Sequence, residues 1–277
     1  MRPVALAAAV CLCLSAGAAG RARADVAIDS LRATVRLHGG SRSSTAFAVA
    51  VPDDGGGSPR IVLVTAAHSF ETIAAATCTA AFRARGGDGF VRRDVQLTIR
   101  DGDRPRWARH PTADVAMIPV VPPADTDLEP FPLERLADGP AFDRGEVHVG
   151  QRAWIACYPA KTEANPTGWA VLRQGAIASH PLAPVAKVPT FFVDYAHFGG
   201  DSGAAVVVER EGRPLVSGVV VSMQRQTDTI TSPFEDRKIH TPLGLAIVVP
   251  ADRVVETIGL WRNRDRDVPA GVTPRGR

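Results

Sequence analysis

The chain has 277 residues, 45% of them hydrophobic and 22% charged. That is an ordinary globular composition; it excludes a disordered chain and allows one barrel-type domain or two smaller ones. The formal net charge of +3 sits at the two ends: residues 1–24 carry Arg2, Arg21 and Arg23 without an acid, and residues 262–277 carry five Arg against two Asp. The body between them is near −3, so it shows no basic footprint for nucleic acid.

Residues 1–24 read as an export signal. Arg2 gives a positive start, residues 4–14 (VALAAAVCLCL) a short apolar run, and Ala22-Arg23-Ala24 a small-x-small cleavage site. The run is too short to span a bilayer, and no second segment is long enough to anchor the chain. A secreted or periplasmic protein is therefore expected, with no membrane anchor once the signal is removed. Cys11 and Cys13 leave with it, and Cys78 and Cys157 remain. An oxidising compartment permits a bridge between these two. Both lie among apolar residues where a free thiol is equally at home, so the pairing stays open. Neither a C-x-x-C nor an H-E-x-x-H spacing occurs, so no metal and no cofactor is expected.

The regular segments that follow are short, apolar and bounded by Gly, Pro, Asp or Ser, the pattern of strands. Six are predicted at residues 33–37, 45–51, 61–65, 77–82, 95–99 and 115–120. A Pro-rich acidic passage, residues 122–145, reads as a connection. Six more strands are predicted at 152–158, 170–178, 190–195, 204–209, 215–223 and 244–248. Residues 250–261 read as a helix, with Val254, Val255, Ile258 and Trp261 at helical spacing. This pattern predicts an all-β fold of two antiparallel six-stranded barrels with a C-terminal helix. Residues 25–121 would form the first barrel and 146–262 the second, with a polar tail at 263–277. A single large sandwich is the main structural rival.

Three segments combine a reactive residue with a structural reason for its placement. In residues 62–70 (VLVTAAHSF) a buried strand ends in small residues and then His68. In residues 110–120 (HPTADVAMIPV) Asp114 opens an apolar strand, where a carboxylate needs a partner because burying a bare charge is costly. In residues 198–208 (FGGDSGAAVVV) Ser202 sits among glycines that let successive N–H groups converge on one point, as an oxyanion requires. The order is His, Asp, Ser, with gaps of 46 and 88 residues, against about 45 and 93 in the chymotrypsin-type template.

With Val64-Thr65-Ala66-Ala67-His68, Asp114-Val115-Ala116 and Gly200-Asp201-Ser202-Gly203, the sequence resembles the trypsin-like serine peptidase family, in its compact bacterial secreted form. Weaker echoes are residues 44–49 (STAFAV), 154–159 (WIACYP), 174–177 (QGAI) and 244–247 (GLAI), so the resemblance spans about residues 31–260. It implies a serine endopeptidase with His68, Asp114 and Ser202 as the triad and the N–H groups of Gly200 and Ser202 as the oxyanion hole. Polypeptides would be its substrates, and a monomer is expected. The chain departs from the family in lacking an Ile-Val-Gly-Gly-like activation terminus and the cysteines flanking the histidine and serine boxes; Ala204-Ala205 replaces a common Gly-Pro.

By the same resemblance, Ala196, six residues before the nucleophile, lies at the base of the specificity pocket, which argues against cleavage after Lys or Arg. His197 would favour acidic side chains or serve only as a wall, and Val221 and Met223 point to an apolar or small side chain. Two rival readings stand beside this one. An α/β-hydrolase built on Ser202, Asp228 and His240 needs a helix after the serine, where the sequence is strand-like. A catalytically silent scaffold acting as a binding protein is the other.

Overall fold

The computed structural model describes residues 25–232 and 235–266. The expected export signal and the tail past residue 266 lie outside the described residues.

A helix not foreseen from the sequence comes first. In α1 (Val26–Ala33) the Asp25 carboxylate accepts from the N–H groups of Ala27 and Ile28, an N-cap, and the helix buries Val26, Ser30 and Ala33. The first half then runs β1 (Thr34–Gly39), β2 (Arg42–Val51), β3 (Arg60–Thr65), α2 (Ala67–Glu71), β4 (Thr77–Gly86), β5 (Gly89–Thr98), β6 (Arg100–Asp101), β7 (Arg104–Pro105), β8 (Ala108–Arg109) and β9 (Ala116–Val120). These pair in the order β5-β4-β1-β2-β3-β9-β8, and β10 (Phe131–Pro132) adds to β2; β6 and β7 form a separate two-stranded sheet. The first half is thus an eight-stranded sheet rather than six strands, because β8 and β10, both two residues long, join it from segments that read as loop.

After α3 (Gly139–Asp143) the second half contains β11 (Arg152–Cys157), β12 (Val171–Ile177), β13 (Phe191–Asp194), β14 (Ala205–Arg210), β15 (Arg213–Thr231) and β16 (Asp236–Pro250). They close into a six-stranded barrel, β11-β12-β13-β16-β15-β14. The chain ends its described part in α4 (Asp252–Arg266), two residues later than predicted and longer. Strands β15 and β16 run well beyond the predicted 215–223 and 244–248. Among the described residues their outer parts pair only with each other, Arg225 with Pro242 through Thr231 with Asp236, and form an exposed ribbon.

Each half has its own core, and a further cluster joins Phe47, Val64 and Met117 of the first half to Val207, Val216 and Val254 of the second. Cys78 lies in the first core and Cys157 in the second, and both thiols are free. The bridge that the export reading permits is not formed. Burial pushes the Cys78 thiol up to about 11 and raises that of Cys157 further, so neither is a reactive thiolate.

The largest fully buried side chain is Arg83, on β4. Its guanidinium donates to the carbonyls of Leu31 and Arg32 at the end of α1 and of Thr34, with a longer contact to Gly168 O, and stacks 4.4 Å over the Trp169 ring. One cation thereby joins the helix end, the first sheet and a loop of the second half.

Candidate active site

His68 is the second residue of α2, directly after β3, where Ala66 and Ala67 are both fully buried. Its Nδ1 lies 2.7 Å from Asp114 Oδ2, and its backbone N–H donates to Asp114 Oδ1 at 3.0 Å. Burial would raise the Asp114 pKa, but these bonds from the His68 ring and backbone outweigh it and hold the carboxyl below its ordinary value. An ionised carboxylate only accepts, so His68 Nδ1 carries the proton and Nε2 keeps its lone pair. The bond to Asp114 also raises the His68 pKa, against the opposing effect of burial.

Ser202 lies on the loop between β13 and β14. Together with His68, Gly199 and Gly200 it lines a cleft of about 200 Å3, to which Leu37, Arg42, Thr72 and Ile73 also contribute. Among the described residues no hydrogen bond joins Ser202 Oγ to the imidazole, although both line the same cleft. Larger hollows exist, one of about 440 Å3 beside Leu133 and Arg144, but none of these reactive groups lines it.

The loop backbone is tightly specified. Gly200 has φ +106°, and a Cβ there would meet Tyr158 O at 2.3 Å; Gly203 has φ +89° and would meet Thr45 O at 2.0 Å. Only glycine fits either position. Among the described residues the N–H groups of Gly200 and Ser202 donate to no protein acceptor, whereas those of Asp201, Gly203 and Ala204 are all used. Two donors, one on either side of Asp201, are thus left free in the serine loop.

Thr45, which the sequence reading passed over, fixes this loop to the first sheet. Its N–H donates to Ser202 O at 2.9 Å, its hydroxyl donates to Gly200 O at 2.7 Å, and the same hydroxyl accepts from Tyr158 N–H at 3.2 Å. Nothing local in the sequence marks it, since these partners are more than a hundred residues away. Asp201, fully buried, accepts from Phe198 N–H at 2.9 Å and faces Arg173 at 3.7 Å. Burial raises its pKa against the pull of that N–H and of Arg173. The charge opposite Asp201 is therefore an internal arginine.

The four residues expected to set specificity do not line the cleft shared by His68 and Ser202. Ala196 is exposed, Met223 half-buried, and Val221 and His197 buried. Both ring nitrogens of His197 lack hydrogen-bond partners among the described residues. Burial, followed by the nearby charges of His68 and Arg173, lowers its pKa to about 4. At neutral pH this ring is uncharged and offers an acidic side chain no ion pair.

No family model matches the chain, and no curated protein matches its sequence. Solved structures do resemble it. One is a mutant, inactive form of Rv3671c from M. tuberculosis, 16% identical over 89% of this chain and 93% of that one, with a TM-score of 0.49. Another is neuropsin, a serine protease expressed in the limbic system of mouse brain, 14% identical over 86% of this chain and 96% of that one, with a TM-score of 0.50. At such identities the likeness concerns the backbone alone. With its closed six-stranded barrel, its partner sheet and its C-terminal helix, the chain has the chymotrypsin-like fold.

Proposed function

We propose that this protein is an exported serine endopeptidase that cuts polypeptides through His68, Asp114 and Ser202. The reading rests above all on one juxtaposition: an Asp114-held imidazole with a free Nε2 faces Ser202 across a cleft, beside the two unused N–H groups of Gly200 and Ser202. The export signal at residues 1–24, read from the sequence, supports secretion or a periplasmic location.

The chemistry follows from those groups. As Ser202 Oγ bonds to the scissile carbonyl carbon, its proton passes to His68 Nε2, and the carbonyl π electrons become an oxyanion. The N–H groups of Gly200 and Ser202 hold that oxyanion; losing one such donor in comparable sites costs about 3–4 kcal/mol. His68 then protonates the leaving amine as the C–N bond breaks, leaving an acyl ester on Ser202. Water gives a proton to His68 while its oxygen attacks the ester, and Ser202 recovers its proton as the acid departs. Asp114 keeps the ring in one tautomer and stabilises its cation throughout. Ala196, in place of an acidic residue, and the uncharged His197 support cleavage after small or apolar side chains rather than after Lys or Arg.

A fluorophosphonate probe tests the reading. The wild-type chain should be labelled on Ser202 and should cleave members of a peptide library; Ser202→Ala should do neither. A folded wild-type chain that takes no label would instead be the silent scaffold, and the proposal would fall.

A further inference from the structure

Asp114 lies on the short loop of residues 110–115 that joins β8 to β9. The loop is closed at its neck, where His110 N–H donates to Val115 O at 2.9 Å. Pro111 and Thr112 are exposed, so apolar packing does not shape its tip. The His110 imidazole does. The side chain is buried, and its Nδ1 accepts from Thr112 N–H at 3.2 Å and from Ala113 N–H at 2.9 Å. Two donors aimed at Nδ1 leave no place for a proton there, so the ring carries its proton on Nε2. That nitrogen lies 2.7 Å from Glu256 Oε2 on α4 and donates to it.

Glu256 is itself held. Arg253 donates through Nη1 to both carboxylate oxygens, at 2.8 and 2.7 Å, and through Nη2 to Val185 O of the second half at 3.3 Å. Burial would raise the Glu256 pKa, but the bonds from Arg253 and His110 outweigh it and hold the carboxyl below its ordinary value. Helix α4 packs against β8 and β9, and its Val254 and Ile258 share a buried cluster with Ala108 and Val115. The bond from His110 is therefore charge-assisted and ends on a packed helix. It fixes the residue on each side of Asp114: Ala113 through its N–H to the imidazole, Val115 through its carbonyl to the His110 N–H. Asp114 needs that. Its carboxylate reaches the ring and the backbone N–H of His68 at once, at 2.7 and 3.0 Å, and a shift of about 1 Å would break one of the two.

We propose that His110, held by Glu256, is a positioning residue for Asp114, so that α4 sets where the carboxylate stands and through it the tautomer and basicity of His68. This rests on the peptidase reading above. His110 touches no reacting atom; it acts by folding the loop. A histidine that served stability alone would change the melting temperature and leave the titration of His68 where it is. A positioning residue moves both turnover and that titration.

The test compares wild type with His110→Ala, His110→Asn, Glu256→Ala and the double alanine variant. Melting temperature, the pH dependence of kcat and KM on one cleaved peptide, and the rate of Ser202 labelling by fluorophosphonate are measured for each. In His110→Ala kcat and the labelling rate should fall roughly tenfold or more with KM unchanged, as for a small misplacement in an active site. The acid limb should move to lower pH, because a displaced Asp114 raises the His68 pKa less. Glu256→Ala should move both in the same direction by less, and the double variant should be no worse than His110→Ala, since the two side chains act in series. His110→Asn should recover to the level of Glu256→Ala: its side-chain oxygen accepts the loop N–H groups as an Asx turn does, but it does not reach α4. Should His110→Ala not fold, Glu256→Ala and His110→Asn carry the test, the Glu256 side chain being 43% exposed. A change confined to melting temperature or to KM in either single alanine variant overturns the proposal, as does a loss in the double variant equal to the product of the single losses. Absence of Ser202 labelling in the wild-type chain overturns the peptidase reading instead.

Discussion

Asp114 accepts twice from one residue, from the ring and from the backbone N–H of His68. The second bond fixes where the imidazole starts; the first fixes which nitrogen is protonated. Because the ring bond to Asp114 is the leading cause of the raised His68 pKa, its removal has a direction. A general base works when neutral, so the acid limb of kcat/KM for the wild-type enzyme should lie above the ordinary imidazole value of about 6.5. In Asp114→Asn the limb should move to lower pH, and the rate on its plateau should fall by roughly 10^4-fold, as when the tautomer is lost in sites of this type. A pH–rate profile of both proteins checks this; an unmoved limb would mean that another group titrates. These residues were legible in the sequence because each carries its reason locally: small residues before His68, an apolar run after Asp114, glycines around Ser202. Arg83 and Thr45 were not, for the opposite reason. Their partners are carbonyls and N–H groups brought from distant segments, and neither residue type announces such a role.

At the scale of elements, the nucleophile loop has no helix or strand of its own and borrows its shape from β2. Replacing Thr45 by Val keeps its volume and its N–H bond to Ser202 O, but strips a bond from Gly200 O and from Tyr158 N–H in a buried place. Leaving such groups unsatisfied costs about 1–3 kcal/mol each at most sites. Thr45→Val should therefore melt several degrees lower and label more slowly with fluorophosphonate, while Thr45→Ser restores both. Equal labelling rates in Thr45→Val and wild type would show that β2 does not set the loop. The elements also divide cleanly by how well their sequence revealed them. Strand β3 (RIVLVT) is apolar on both faces because Leu63 enters the first core and Val62 and Val64 enter the shared cluster. The ribbon half of β15 (QRQTDTIT) carries no apolar alternation because neither of its faces meets a core. Helix α1, with only three buried residues, was too short for its period to register.

For the molecule as a whole, the passage between the halves is more than a connector. Phe131 and Leu136, both from it, are buried in the cluster that spans the two halves, β10 lies alongside β2, and Ala137 N–H donates to Val216 O. Val121, just before it, is 93% exposed, an accessible point for cleavage. Severing the polypeptide there should not part it. A protease site engineered after Val121, once nicked, should yield two fragments on a denaturing gel but one species of unchanged elution volume in native buffer. Two separate native species would mean that the shared cluster contributes little cohesion. If the nicked form holds together, its covalent continuity is dispensable once folding is complete, and a split pair of fragments becomes a practical way to switch the protein on by reassembly.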